Sequence, residues 1–307
     1  MTNKAKAIFV ILVGAIIGGA TSSVTKIGLL KIPPFTFTFV RFVIASLCLS
    51  PLFIKKINPF GKLRVNPEKS RRIKFNRRLL TLLLISLLPT LNVALFVVGV
   101  KTTTASIAQM LYAGTPVLAG ILSYFLFKNK LALKRWFFIF LGLIGVILVV
   151  ALPLIEKNSL YAGDLKGNIL ISIGVIFWSL YFALSKHYQK QFSPITLTSG
   201  FFLTATMIFF FLSFFEISSG NRWWLDLTTS SYLSLLYIAL ISTVVSYLLH
   251  QYAIKFSSPV IASFSFYLVP IFSYISAFVL LGERLTSGLI IGTILVFISV
   301  ALTTYSR

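Results

Sequence analysis

Charged residues are scarce in this chain, and acidic residues are the scarcest of all. Only 11% of the 307 residues are charged, six are acidic, and 57% are hydrophobic. A soluble domain carries roughly a quarter charged residues. The composition therefore excludes an ordinary soluble domain and indicates an integral membrane protein.

Cysteine and histidine are equally sparse. The single cysteine, Cys48, excludes an intrachain disulfide bond. Besides this thiol the chain has only His187 and His250, and neither a metal-ligand spacing nor a glycine-rich phosphate loop occurs. The acids that a catalytic site would need are scattered along the chain. The sequence predicts no cofactor, no metal site and no enzyme.

A net charge of +22 is the one feature that the chain shares with nucleic-acid-binding proteins. Ten of the basic residues lie within residues 55–78, a stretch whose only aromatics are Phe60 and Phe75. Because single-stranded nucleic acid is bound by basic residues interleaved with aromatic ones, we expect no nucleic-acid partner. The loop is typical of cytoplasmic positive charge; the alternative is binding to anionic lipid headgroups.

Apolar segments of membrane-spanning length recur along the whole chain. They cover residues 7–25, 35–54, 79–100, 104–127, 134–153, 167–185, 195–215, 231–254, 258–281 and 285–305. If the N-terminus is cytoplasmic, the inner side carries twenty Lys and Arg residues and the outer side seven. We therefore expect a multi-pass protein of the cell membrane with both termini in the cytoplasm and an uncleaved first helix.

Two halves of the sequence resemble each other. Residues 101–131 align without a gap on residues 255–285. The identities include Lys101 with Lys255 and, in mid-segment, Pro116 with Pro270. A second alignment, offset by 160 positions, matches Gly14, Lys26, Pro34, Thr36 and Thr38 with Gly174, Lys186, Pro194, Thr196 and Thr198. The chain therefore reads as two copies of one unit.

Five spans in each copy place the two copies in the membrane with opposite orientation. The predicted fold is an all-α integral membrane protein of ten transmembrane helices, built as two inverted five-helix repeats, residues 1–157 and 158–307. Inverted repeats that meet at broken helices are typical of secondary transporters. Prolines in such helices free carbonyl groups, so we expect helix breaks with a gating role at Pro116 and Pro270.

The chain resembles the EamA-like family of the drug/metabolite transporter superfamily along nearly its whole length. The resemblance lies in Pro259, Pro270 and Gly282-Glu283-Arg284-Leu285, and in Pro34 followed by Arg41-Phe42. In the first copy, 128–131 read Lys-Asn-Lys-Leu where the family usually has Gly-Glu-Arg-Leu. The resemblance implies a ten-helix bundle that moves small metabolites by alternating access.

Polar and aromatic residues repeat along one face of several segments, which is the pattern of a path through a helix bundle. The predicted cavity-lining residues are Asn92, Gln109, Tyr112, Trp178, Tyr181 and Phe266, with Tyr267 nearby. Packing between helices is the alternative explanation for such stripes. For Gly14, Gly18 and the serines of these stripes, packing is the favoured interpretation.

Two ionisable residues within segments have a possible charge role. For Arg41 the sequence favours snorkelling to the outer surface or a structural ion pair over attraction of an anionic substrate group. For His250 it favours a hydrogen-bonded interfacial position over a proton relay. Glu283 and Arg284 are expected to be structural residues of the last turn.

A secondary transporter for a small organic solute is the leading functional hypothesis. No acid lies mid-span, which favours a facilitator or an exchanger over ion-coupled transport. A lipid or lipid-linked headgroup flippase is one alternative, and a non-transporting membrane scaffold or receptor is another. Expected partners are a small-molecule substrate and membrane lipids; the direction of transport and the oligomeric state are left open.

Overall fold

Helices make up all the regular secondary structure in the computed structural model, which describes residues 3–57, 69–127, 133–157, 159–218, 223–256 and 265–305. The first half forms α1 Asn3–Leu29, α2 Pro34–Ile57, α3 Lys69–Thr102, α4 Ala105–Tyr112, α5 Thr115–Phe127, α6 Leu133–Val150 and the short α7 Leu152–Ile155. The second half forms α8 Leu165–Tyr188, α9 Pro194–Ser218, a 3₁₀ turn Trp223–Leu225, α10 Thr229–Leu236, a π-helix Tyr237–Val245, α11 Ser246–Phe256, α12 Ser265–Leu281 and α13 Ser287–Tyr305.

The apolar segments of the sequence lie on these helices, but the helices differ in length from the segments. Within the described residues, seven helical stretches are long and apolar enough to cross a membrane. Three further helices are apolar but shorter: Trp136–Val150, Leu268–Leu281 and Ser287–Ser299. The chain is thus an all-helical, multi-pass membrane protein.

The basic connection between the second and third segments is shorter than expected. Helix α2 continues to Ile57, and α3 begins at Lys69 and runs for 34 residues. Much of the stretch 55–78 is therefore helical rather than loop. Residues 58–68, on which the lipid-binding expectation also depends, lie outside the described residues.

The two segments with a central proline behave differently. In the first copy the helix is interrupted at Ala113 and Gly114, and Pro116 lies in the first turn of α5, where a missing N–H leaves no hydrogen bond unmade. In the second copy α12 runs without interruption through Pro270. This corrects the expectation of a helix break at Pro270.

The eighth segment contains a feature that the sequence did not indicate. Nine residues, Tyr237–Val245, form a π-helix between α10 and α11. The hydroxyl of Thr243 donates to the carbonyl oxygen of Ile238, five residues earlier, at 2.6 Å. Wide turns of this kind inside α-helices are frequent at functional sites.

The most extensive helix contacts join the two halves of the chain: α3 with α8, α6 with α13, α1 with α12, and α2 with α9. Glycines allow two of these close approaches. A Cβ atom on Gly99 would lie 2.8 Å from the carbonyl oxygen of Gly167, and one on Gly167 would lie 2.8 Å from that of Gly99. Gly145 of α6 and Gly292 of α13 face each other in the same way. Small residues at such crossings are typical of helix packing in membranes.

Candidate functional site

A cavity of about 80 Å³ lies between the helices of the two halves. Helices α1–α4, α8, the π-helix, α11 and α12 all contribute to its wall. The lining residues are Gly18, Thr21, Arg41, Asn92, Val93, Phe96, Gln109, Tyr112, Trp178, Ser242, Ser246, Tyr247, His250 and Val269. Ligand pockets usually enclose roughly 300 Å³ or more, so in this conformation the cavity has room for only a small molecule or part of a larger one.

Two amides and a phenol form the polar part of the wall contributed by α3 and α4. Nδ2 of Asn92 donates a hydrogen bond of 2.6 Å to the hydroxyl of Tyr112, which is the last residue of α4 before the helix is interrupted. Gln109 lies one turn earlier on the same face and is 6% exposed. No hydrogen bond joins its amide to any described residue. This amide is therefore available to a molecule in the cavity.

Aromatic rings form another part of the wall. The indole of Trp178 is perpendicular to the ring of Tyr247, with 5.4 Å between centroids. It also contacts the ring of His250 at 6.0 Å. Phe96 packs edge-on against Tyr112 at 5.9 Å. Such an enclosure suits a flat apolar body with a polar group at one end.

Arg41 points into the cavity and is 4% exposed. Its Nε donates to the hydroxyl of Thr243 at 2.5 Å, and Tyr247 is a further hydrogen-bond partner. The guanidinium carbon also lies 5.1 Å from the ring centre of Phe42. The favoured expectation of snorkelling is wrong, and within the described residues no carboxylate lies within 4 Å of this cation.

His250 also contributes to the cavity wall. Its imidazole contacts the rings of Trp178 and Phe182, the latter at 5.7 Å, and it lines the cavity. The structure thus places His250 in the cavity wall, and its interfacial depth stays a prediction.

Tyr181 supports the cavity wall without lining it. The residue is buried, and its ring centroid lies 5.6 Å from that of Trp178. Its hydroxyl accepts a hydrogen bond of 2.8 Å from Nε2 of Gln251, which also donates to Ser185. Tyr181 therefore holds the indole from behind.

Of the remaining predicted site residues, only Pro270 has a described side chain, and it does not line the cavity. Pro270 lies in a separate, mostly apolar groove with Ser106 and Tyr274, and its neighbour Val269 faces the cavity instead. Phe266 and Tyr267 belong to the first turn of α12, but their side chains lie outside the described part of the chain, as does that of Pro116.

Sequence reasoning missed Thr21 and Tyr247. Thr21 lies three residues after Gly18 and bonds to Ser242 across the cavity at 2.7 Å. Tyr247 lies four residues after Thr243 and three before His250, so a helical face through these three residues was a usable signal. The stripe chosen from the sequence, Ser242, Ser246 and His250, also lines the cavity, next to Tyr247.

Most of the described acids lie at helix N-termini, away from this cavity. Glu283 accepts hydrogen bonds from the backbone N–H groups of Ala105 and Ser106, at 2.7 and 3.0 Å, and from the Ser106 hydroxyl. Nζ of Lys26 lies 3.8 Å from the same carboxylate. The structural role expected for Glu283 thus extends to α4, in the other half of the chain.

Two other carboxylates bond to helix N-termini of the opposite half. Glu216 accepts from the backbone N–H groups of Phe35 and Thr36, at 3.0 and 2.7 Å, at the start of α2. Glu156 accepts from the backbone N–H of Gly288 at 2.7 Å, at the start of α13. Negative charge is stabilised at helix N-termini, where backbone N–H groups lack partners.

Metal-ligating side chains are not gathered anywhere in the described ranges: no three His, Cys, Asp or Glu residues form a group that could hold an ion. The cavity instead combines amides, hydroxyls, aromatic rings and one guanidinium. These groups suit reversible binding of an organic molecule.

Comparison with known proteins gives one family. The model of the EamA-like transporter family matches the chain twice, over residues 5–151 and 165–305. A crystal structure of another protein superposes with a TM-score of 0.59 over 99% of this chain and 97% of that chain, at 15% identity. That similarity concerns the fold alone.

Several relatives carry the name "uncharacterized transporter". One from Archaeoglobus fulgidus is 28% identical over 91% of this chain and 90% of its own length. One from Clostridium kluyveri is 25% identical over 86% and 81%. The Bacillus subtilis protein YoaV is 21% identical over 95% and 94%.

Proposed function

Because the chain belongs to the EamA-like transporter family, we propose that it moves a small organic metabolite across the cell membrane by alternating access. The coarser part of this statement, a multi-pass membrane transporter, follows from the family and its relatives. The observation that carries the finer part is the polar and aromatic cavity between the two halves of the chain. An amino acid, a nucleobase or a drug-like solute has the chemistry for such a site, and a drug-sized molecule would need a wider cavity than this conformation offers.

The proposed machinery is two inverted five-helix units, residues 1–157 and 158–307. Matched bonds in the two units support it. Thr38 donates to the carbonyl of Pro34, and Thr198 donates to that of Pro194. Equivalent residues therefore make equivalent bonds.

The lysines at the ends of α1 and α8 repeat this correspondence. Nζ of Lys26 donates to the carbonyl of Thr103 just beyond α3, and Nζ of Lys186 donates to the carbonyl of Ile254 near the end of α11. In the proposed topology α3 is the third span of the first unit, and the helix that ends in α11 is the third span of the second unit. The two lysines then lie on opposite sides of the membrane. Inverted units of this kind rock about a shared central site.

We assign the substrate contacts to Asn92, Gln109, Tyr112 and Trp178. Tyr181 holds Trp178 in place, and a contact role for Phe266 and Tyr267 stays a prediction. The interruption before Pro116 separates α4, which lines the cavity, from α5. Pro270, the matching position of the second unit, lies inside the uninterrupted α12.

A ligand screen followed by transport tests this proposal. The detergent-purified protein is heated with amino acids, nucleobases, sugars, polyamines and aromatic drugs, and a shift in melting temperature identifies ligands. A ligand at a hundred times its dissociation constant stabilises by about 2.7 kcal/mol. Counterflow of each hit in proteoliposomes then measures transport.

Trp178→Ala and Gln109→Ala should abolish both the shift and the counterflow. Trp224→Ala and Gln191→Ala, at exposed positions, are the matched controls and should preserve both. If only lipid headgroups raise the melting temperature, and the protein moves lipid between the leaflets of the vesicles, a flippase would replace the proposed transporter. Normal activity of both cavity variants would favour a scaffold or receptor that does not transport.

A further inference from the structure

Arg41 is a buried cation in a membrane-spanning segment. It lies within the apolar stretch Pro34–Pro51 and is 4% exposed. An ionised side chain at this depth is costly, and such residues almost always have an ionic or functional partner. The identity of that partner is therefore informative about the cavity.

No acid among the described residues lies beside Arg41. Five of the six acids belong to the described residues, and none lies within 4 Å of its guanidinium. The sixth, Glu68, lies outside the described residues. Within the described residues, Arg41 therefore has no carboxylate partner.

The groups that do contact the guanidinium are neutral. Thr243 accepts from Nε while its own hydroxyl proton is donated to Ile238. The π-helix makes this arrangement possible, because a donation over five residues turns the Thr243 oxygen toward α2. These contacts orient Arg41 without neutralising its charge, and the planar fork of a guanidinium matches a carboxylate.

The rest of the cavity adds neutral polar groups and flat rings. The Gln109 amide has no partner among the described residues and faces the same space. Trp178, Phe96 and Tyr247 line the remaining wall. The cavity therefore presents positive charge at one point and aromatic surface elsewhere.

We propose that the cavity binds small organic anions, with the carboxylate of an aromatic acid paired to Arg41 and its ring packed against Trp178. This inference rests on the proposed function and specifies its substrate class. A neutral or cationic molecule of the same shape would leave Arg41 buried without a counter-charge, so it should bind much more weakly.

Three molecules of nearly equal shape test the inference on the unaltered protein. Benzoate, benzamide and benzylamine are anionic, neutral and cationic, and acetate carries the charge without the ring. Melting-temperature titrations and counterflow in proteoliposomes should rank benzoate first, well ahead of acetate. Equal binding of benzamide or benzylamine would overturn the inference, and counterflow of either would leave the proposed transporter function standing.

Variants test whether Arg41 supplies the selectivity. Arg41→Gln should weaken benzoate binding by roughly thirtyfold or more, as loss of one partner of a buried charge pair does. Arg41→Lys should retain part of the affinity. Lys166→Gln removes the same charge at an exposed position of α8 and should bind benzoate normally. Unchanged binding in Arg41→Gln would contradict the assignment.

Two further outcomes separate the anion inference from the proposed function. Stabilisation by phosphatidylglycerol but by none of the soluble acids, lost in Arg41→Gln, would replace the solute with an anionic lipid headgroup. If no acid binds or shows counterflow while a neutral metabolite from the wider screen does, the anion inference alone is refuted. If no compound in either experiment binds or moves, both proposals fail.

Discussion

Asn92 and Tyr112 illustrate how a single side-chain pair joins two helices at the cavity. Asn92 is only 2% exposed, so its amide is shielded from bulk solvent. Its Nδ2 donates instead to the Tyr112 hydroxyl. The bond connects α3 to the last residue of α4. It therefore holds the end of the interrupted helix against its neighbour.

Loss of this hydroxyl should lower stability. Tyr112→Phe leaves the Asn92 amide without its acceptor, and bonds between helices in membranes are worth about 0.6 kcal/mol on average and up to ~1.7 kcal/mol. Thermal or denaturant unfolding in detergent, in a double-mutant cycle with Asn92→Ala, measures the coupling. Tyr124→Phe, a half-buried tyrosine with no hydrogen bond in the described structure, should be close to neutral. A coupling energy of zero would show that the bond does not contribute.

The carboxylates that bond to helix N-termini act at the scale of whole elements. Glu156, Glu216 and Glu283 each join one half of the chain to the start of a helix in the other. In the proposed topology all three lie at the outer surface. They are therefore expected to hold the outer ends of the two halves together in this conformation.

Removing one of these bonds should destabilise the closed outer side. Glu283→Gln leaves one carbonyl oxygen to accept the three hydrogen bonds that the two carboxylate oxygens of Glu283 accept. It also removes the negative charge that stabilises the start of α4. Together these losses should cost about 1–2 kcal/mol. A cysteine at Ser246, in a Cys48→Ser background, should then react faster with a membrane-impermeant thiol reagent added outside. Asp226→Asn, an exposed acid, is the control. An unchanged labelling rate in Glu283→Gln would contradict the outer-closure role.

Glycine contacts determine how closely α3 and α8 approach. A Cβ atom on Gly167 would lie 2.4 Å from the Thr102 hydroxyl and 2.8 Å from the Gly99 carbonyl oxygen. Gly167→Ala should therefore separate the helices and lower stability by about 1–3 kcal/mol, the usual range for overpacking. Gly120→Ala in α5 meets no atom within 4 Å and should be neutral or stabilising by up to ~1 kcal/mol, because alanine favours helix. Equal unfolding curves for the two variants would refute the close-packing argument.

The molecule as a whole is predicted to place its two units in opposite orientations. With both termini inside, Lys157 lies outside and Lys190 inside. In a Cys48→Ser background, Lys157→Cys should react with an impermeant thiol reagent in intact cells. Lys190→Cys should react only after permeabilisation. Reaction of both cysteines from the same side would exclude the inverted arrangement.

Much of this architecture is readable from local sequence. Long apolar runs predict helices because lipid cannot satisfy exposed backbone groups, and the described helices lie where these runs lie. Matched motifs around Pro116 and Pro270, together with Pro34 and Pro194, indicated two related units. The cavity residues Asn92, Gln109, Tyr112 and Trp178 came from helical periodicity, which assigns a face to each helix without assigning its neighbour.

Composition and periodicity by themselves thus determined the membrane environment, the helical segments and the polar faces. Only the tertiary structure decided which faces meet. In that structure Arg41 points inward and bonds to Thr243 of the π-helix, and α12 continues through Pro270. The roles of Tyr247 and of the capping carboxylates require helices from both halves to be in place. Contacts between residues some 200 positions apart have no local sequence signal, because they arise when separate helices pack.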